Sequence, residues 1–270
     1  MKYNIASIAE HPELNRLGIF SLAQAEQILD CPRKRLNPFL FRLVKKGRLL
    51  RIKRGLFCLL PRGVHAAGNG YPYNWYLIAK ALAGNRPYFI SHYSAMRLHG
   101  MTGEAIQTIF VSTAGQLLPP RNLKIPIRFV ALPGNRFWGT EEKWVTHEEK
   151  VRVSGLARTA VDALDRLDLC GGIGEVSRGL GLIQSQIEAS EFIDAAKRLG
   201  SRAAAKRLGF LMEILNLGAA EEREKLRRFA LSSQSYVLFD STLPPGGPRL
   251  PSWRLILNRD PKEIENNLMT

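Results

Sequence analysis

Between Arg33 and Arg54 the chain places ten basic residues and no acidic one, yet keeps a hydrophobic pattern throughout. A bare run of like charges repels itself and stays solvated. Here Leu36, Leu40, Leu43 and Val44 recur at helical spacing, which gives the segment an apolar face to bury and leaves Arg35, Arg42, Lys45 and Lys46 mostly off that face. Gly47 ends the stripe as a left-handed cap. The period then changes to alternation. Leu50 and Ile52 point one way, Arg51 and Lys53 the other, until Arg54 and Gly55 make a turn and Leu56 to Leu60 return. A cationic helix followed by a cationic hairpin is the expected arrangement.

Upstream, Ser21 is placed to cap a helix through Ala23, Ala25, Ile28 and Leu29, and Asp30 to Pro32 interrupt it. The start of the second helix has two readings, because an interior proline loses a hydrogen bond at a cost of about 3 kcal/mol. Either Asn37 caps a helix with Pro38 at its first position, or a turn beginning at Pro32 leads into a helix kinked at Pro38; the first is the expectation. The resulting helix pair and hairpin read as a winged helix-turn-helix over residues 1–62. In such a fold one helix enters the major groove and the hairpin rides on phosphate or the adjacent minor groove.

The charge balance agrees. Through residue 62 there are thirteen basic residues against four acidic ones, so most of the chain's +15 sits in under a quarter of its length. Such a surplus attracts nucleic acid, an anionic membrane or an acidic partner. Double-stranded DNA is the expected partner, since neither aromatic RNA-stacking motifs nor a lipid-binding amphipathic stripe is present. The expected DNA-binding set is Arg33, Lys34, Arg35, Asn37, Arg42, Lys45, Lys46, Arg48, Arg51, Lys53 and Arg54, with Arg35, Asn37 and Arg42 as base readers and Arg51, Lys53 and Arg54 on the wing. Cys31, Cys58 and Cys170 are odd in number and far apart, which argues for reduced thiols and against disulfides or a metal site. No stretch has the length of a membrane span and the first twenty residues lack a signal-peptide core, so a cytoplasmic, nucleoid-associated protein is expected.

Residues 63–73, rich in glycine, read as a linker to a larger domain over 74–270. Asn74 and Ser91 are placed to cap helices that end at Gly84 and Gly100. Strand-like runs follow near 106–112, 125–132, Trp144 and 151–153, then helices from Leu156 and near 173–184, 189–199, 202–215 and 220–231, and two late strands at 236–239 and 253–258. The fold class is α+β: an N-terminal winged helix-turn-helix and a larger mixed α/β domain. A hydrolase reading would draw on Ser91 or Ser94, His92 or His99, and Asp162 or Asp165, but no nucleophile-elbow motif supports it. The GGIG run at 171–174 follows a helix and lacks a Walker lysine, so it reads as a helix-helix turn. Neither a catalytic activity nor a cofactor or metal is expected; a DNA-processing nuclease is a remote alternative.

Several segments in order resemble the abortive-infection E antitoxin (AbiEi) family. LFRLVKKGRLLRIKRGLFCLLP is similar to its winged helix, YFISHYSAMRLHGM at 88–101 to its Ser-His helix, and ARTAVDALDRLDLCGGIGEV at 157–176 to its Arg-Thr-x-x-Asp segment and glycine turn. RLGFLMEIL at 207–215 and LFDSTLPPGGPRLPSWRLILN at 238–258 also resemble it. The resemblance implies a repressor that binds inverted repeats in its own promoter, with self-association on DNA, and that acts as the antitoxin of a type IV toxin-antitoxin system against a nucleotidyltransferase-like toxin. The alternative is a solitary winged-helix regulator whose C-terminal domain senses a ligand or protein.

Overall fold

A computed structural model describes residues 11–60, 74–120 and 127–268, with side chains through residue 264. The expected linker at 63–73 lies outside the described residues. Two compact units emerge: residues 1–85 with 118–126 and 145–149, and the remainder.

In the first unit, helix α1 (Pro12–Leu17) leads into strand β1 (Ile19–Ser21), helix α2 (Leu22–Leu29), helix α3 (Arg33–Lys45) and the hairpin of β2 (Leu49–Lys53) and β3 (Leu56–Leu59). Ser21 caps α2 as expected. Its hydroxyl oxygen accepts from the Gln24 amide at 3.1 Å while the Gln24 side chain accepts from the Ser21 amide at 2.8 Å, a reciprocal capping box. The α3 helix does not begin at Asn37. Its first turn closes on Pro32, whose carbonyl accepts from the Arg35 and Leu36 amides at 2.9 and 3.1 Å, and Pro38 lies inside the helix. Burial explains the correction. Leu36, Leu40 and Leu43 are all within 1% of fully buried, and only a helix already running at residue 36 puts the three on one face. Pro38 and Lys34, whose carbonyl would have taken the missing amide, are both exposed, so water can serve that carbonyl.

At the other end of α3, Gly47 adopts a φ of 66°, its amide donates to Val44 O, and the Arg48 amide donates to Leu43 O at 2.9 Å. This is the Schellman arrangement that turns the chain into β2. The hairpin pairs antiparallel, with an irregularity between Arg51 and Lys53, and β1 adds to β3 through the pairs Ile19 with Cys58, Phe20 with Phe57 and Ser21 with Leu56, giving the strand order β1-β3-β2. Phe20, Leu14, Leu29 and Phe57 close the core beneath the sheet. Helix α4 (Trp75–Ala83), capped by Asn74, falls with this unit rather than with the larger one, a division different from a boundary at residue 74. It is held to the 145–149 segment by Asn74 donating to Val145 O and by a Lys80 to Glu149 ion pair at 2.7 Å.

The second unit is built on a mixed five-stranded sheet. Its strands are β4 (Tyr88–Ile90), β5 (Ile109–Ala114), β6 (Ile127–Leu132), β7 (Thr140–Trp144) and β8 (Lys150–Ser154), in the order β6-β5-β4-β8-β7. Helix α5 (His92–Leu98) follows β4, and α6 (Leu156–Asp165), α7 (Gly172–Ile183), α8 (Ala189–Leu199), α9 (Arg202–Ile214) and α10 (Ala220–Ala230) enclose the principal core. Short strands β9 (Val237–Leu238), β10 (Arg249–Leu250) and β11 (Leu255–Ile256) form a small sheet before α11 (Pro261–Leu268). Gly209 on α9 is required by the close approach of Trp253, since a Cβ there would fall 2.1 Å from the indole. Buried Arg207 donates to the carbonyls of Leu164 and Leu238. The GGIG run is the expected turn into a helix: Gly171 and Gly172 take φ of 79° and 82°, and Asp240 accepts from the Ile173 amide at 3.1 Å.

Candidate nucleic-acid interface

Helical geometry divides the α3 side chains into three sets. With 100° per residue, the buried stripe of Leu36, Leu40 and Leu43 leaves Lys34, Phe41 and Lys45 facing outward, Arg33 and Asn37 on one flank, and Arg35, Arg42 and Lys46 on the other. The hairpin stands beside the first flank. Arg33, Asn37 and Phe41 from α3 and Arg51, Arg54 and Gly55 from the hairpin line a groove of about 600 Å³, floored by Leu22, Leu40, Val44 and Phe57. Arg35 and Arg42 do not reach this groove.

Individual cations are held differently. Arg33 lies 3.8 Å from Glu26 and stays largely exposed. The Arg42 guanidinium sits over the Phe39 ring at 5.1 Å, and the Lys45 ammonium over the Phe41 ring at 4.9 Å. Arg48 is half-buried at the turn, with its amide and carbonyl both engaged by backbone. Lys53 points away from the wing tip: its ammonium donates to Leu82 O at 3.2 Å, at the carbonyl end of α4. Phe41 escaped the sequence reading. It is 57% exposed in the middle of a cationic surface, and its signal was available, because a large apolar residue at 41 falls off the 36, 40, 43 stripe.

Residues 13–60 match the family model of the AbiEi antitoxin transcriptional regulators. The matched stretch contains α2, α3 and the whole hairpin, and so every residue lining the groove. Among curated proteins, none matches the chain. Among solved structures, the chain is similar to the RV2827C protein from Mycobacterium tuberculosis, with a TM-score of 0.68 and 14% identity over 93% of this chain and 88% of that one. At that identity the likeness establishes a shared fold. The stretch matched by the family model covers the helix pair and hairpin of the first unit.

The serine-histidine pairs of the second unit do not assemble a triad. Ser94 donates to Thr108 O at 3.2 Å and accepts from the Phe110 amide at 2.9 Å, while Ser91 accepts from Ser112. The His99 ring meets Ser154 O at 2.6 Å, and burial lowers its pKa despite that contact. Arg158 donates to Asp162 at 2.6 Å and lies over the Trp138 ring. Contacts through Ser154, to the His99 ring and to Thr159, tie β8, α5 and α6 together. Among the described residues no group of three His, Cys, Asp or Glu side chains is placed to hold a metal ion, and no helix is long and apolar enough to cross a membrane.

Proposed function

We propose that the chain is a cytoplasmic transcriptional regulator that binds inverted repeats in its own promoter, represses it, and serves as the antitoxin to a nucleotidyltransferase-like toxin without a catalytic step of its own. The observation that carries the reading is the groove between α3 and the hairpin, where Arg33, Asn37, Arg51 and Arg54 converge inside the AbiEi-matched stretch. Each lining residue has a partner on a DNA duplex. A guanidinium fork fits a phosphate or the O6 and N7 edge of guanine, an asparagine amide fits adenine, and an aromatic ring fits the thymine methyl.

Footprinting of the upstream region and titration of the protected duplex test this directly. Affinity should fall by about 10³-fold between roughly 50 and 200 mM salt if six or more phosphates are contacted. A flat response to salt rejects the electrostatic reading. Replacing Arg51 and Arg54 together by alanine should weaken all sequences evenly, whereas Asn37→Ala should relax preference at a base position. Antitoxicity is tested separately, by co-expression with an adjacent nucleotidyltransferase-like gene; failure of the full chain to rescue growth removes that role and leaves DNA binding intact.

A further inference from the structure

His92, at the start of α5, combines two features that folds seldom carry together. Its backbone takes a φ of 53°, a left-handed conformation uncommon for a side-chain-bearing residue. Both nitrogens of its ring are buried without a hydrogen-bond partner among the described residues. A buried donor and acceptor on one ring are costly to leave unpaired, and burial lowers its pKa to about 3, keeping the ring neutral with one of each.

The ring lines a cavity of about 210 Å³ within the second unit. The other polar groups there are mostly committed. Asp162 accepts from Arg158, Asp165 accepts from the Ser201 hydroxyl, and the Arg166 fork is held by both oxygens of Asp168. Arg136, on a short 3-10 turn, lines the same cavity; its charge helps to hold down the pKa of Asp162, but among the described residues its guanidinium makes no direct ion pair. Val130, Leu132 and Leu199 supply an apolar side. The volume lies below the range of about 300–1,000 Å³ usual for drug-sized ligands, so the occupant is small.

We propose that this cavity binds a short-chain organic carboxylate, its oxygens meeting the Arg136 guanidinium and the His92 ring N–H, its hydrocarbon end against Val130, Leu132 and Leu199. A neutral imidazole donates to a carboxylate without adding a buried charge, and a guanidinium supplies the counter-ion. The apolar side selects a carboxylate that carries carbon over a bare oxyanion. A ligand-sensing regulator needs a site of this kind, but the assignment stands independently of DNA binding.

The test is a titration of the full-length protein with butyrate at neutral pH, following the His92 ring resonances by NMR, with chloride at matched ionic strength as reference and acetate and inorganic phosphate as competitors. The expected result is a saturable shift with butyrate, weaker binding of acetate, and, read by calorimetry because the reporter ring is gone, loss of butyrate binding in His92→Phe. Arg136→Ala, a change at a half-exposed turn that leaves the core intact, should weaken binding by about tenfold or more. A response to butyrate no different from that to chloride, wild-type affinity in Arg136→Ala, or phosphate outcompeting butyrate would each overturn the assignment.

Discussion

Phe41 keeps more than half of its ring in water, with only the Lys45 ammonium over its face, so the ring is expected to find its apolar partner on the bound duplex. The thymine methyl is the one apolar group that base edges offer in the major groove. Replacing single thymines of the operator by deoxyuridine removes only that methyl. Wild-type protein should then lose about 0.8 kcal/mol, or roughly fourfold in affinity, at one position, and Phe41→Ala should lose nothing further there; equal losses in both proteins would remove Phe41 from base reading while leaving the groove's cations untouched. His92 yields a second expectation at this scale. Burial, aided by Arg166 and Arg158, lowers its pKa from 6.5 to about 3 in the folded chain. The unfolded chain therefore binds more protons below pH 6.5, and folding stability drains away as pH falls through that value. Asp162, raised by burial to about 6, works in the opposite direction over part of the same window. Comparing wild type with His92→Phe isolates the first effect: from pH 7 to 5 the variant should keep about 2 kcal/mol more of its stability in urea unfolding.

Among the elements, α3 shows what local rules can and cannot decide. The hairpin was legible because alternation from Leu50 to Lys53 and the Arg54-Gly55 turn are local signals, and the Schellman end at Gly47 was legible for the same reason. The start of α3 was not. The local preference of proline for a first turn favours Asn37 and Pro38, and only the buried contact of Leu36, a tertiary fact, favours a start at Arg33. Strand β1 was invisible for a related reason, since three residues carry no readable alternation and its partner β3 lies far along the chain. The candidate binding residues follow the same division. Their charge was plain in the sequence, but the convergence of Arg33 and Asn37 with Arg51 and Arg54, the retreat of Lys53 to α4 and the removal of Arg35 and Arg42 to the far flank all depend on how α3 packs against the hairpin. Because Pro38 is exposed and contributes no helical hydrogen bond, Pro38→Ala should stabilise the first unit by about 1–3 kcal/mol. Chemical denaturation measures this, and an unchanged midpoint would mean that the proline is accommodated without strain.

For the whole molecule, the two units predict a division of labour. Residues 1–85 carry the groove and the α4 helix on which Lys53 rests, so this fragment should bind duplex DNA with the salt dependence of the full chain. Residues 86–270 should not bind. Equal DNA affinity of the two fragments in gel-shift titrations would contradict the placement of the interface. The sheet of the first unit and the five-stranded sheet of the second also differ in when they can be completed. The strands β1, β2 and β3 all lie before residue 60, and every pairing among them is available once Leu59 has been made. The central strand β4 is different, because its parallel neighbour β8 meets it only through Ile90 and Val153 and has to await a much later stretch of chain. On a ribosome that adds residues one at a time, the reading head can close while the larger sheet still lacks a flank. If the proposed function holds, an interrupted round of translation would leave behind a piece able to occupy operators, and messenger quality would become an input to repression.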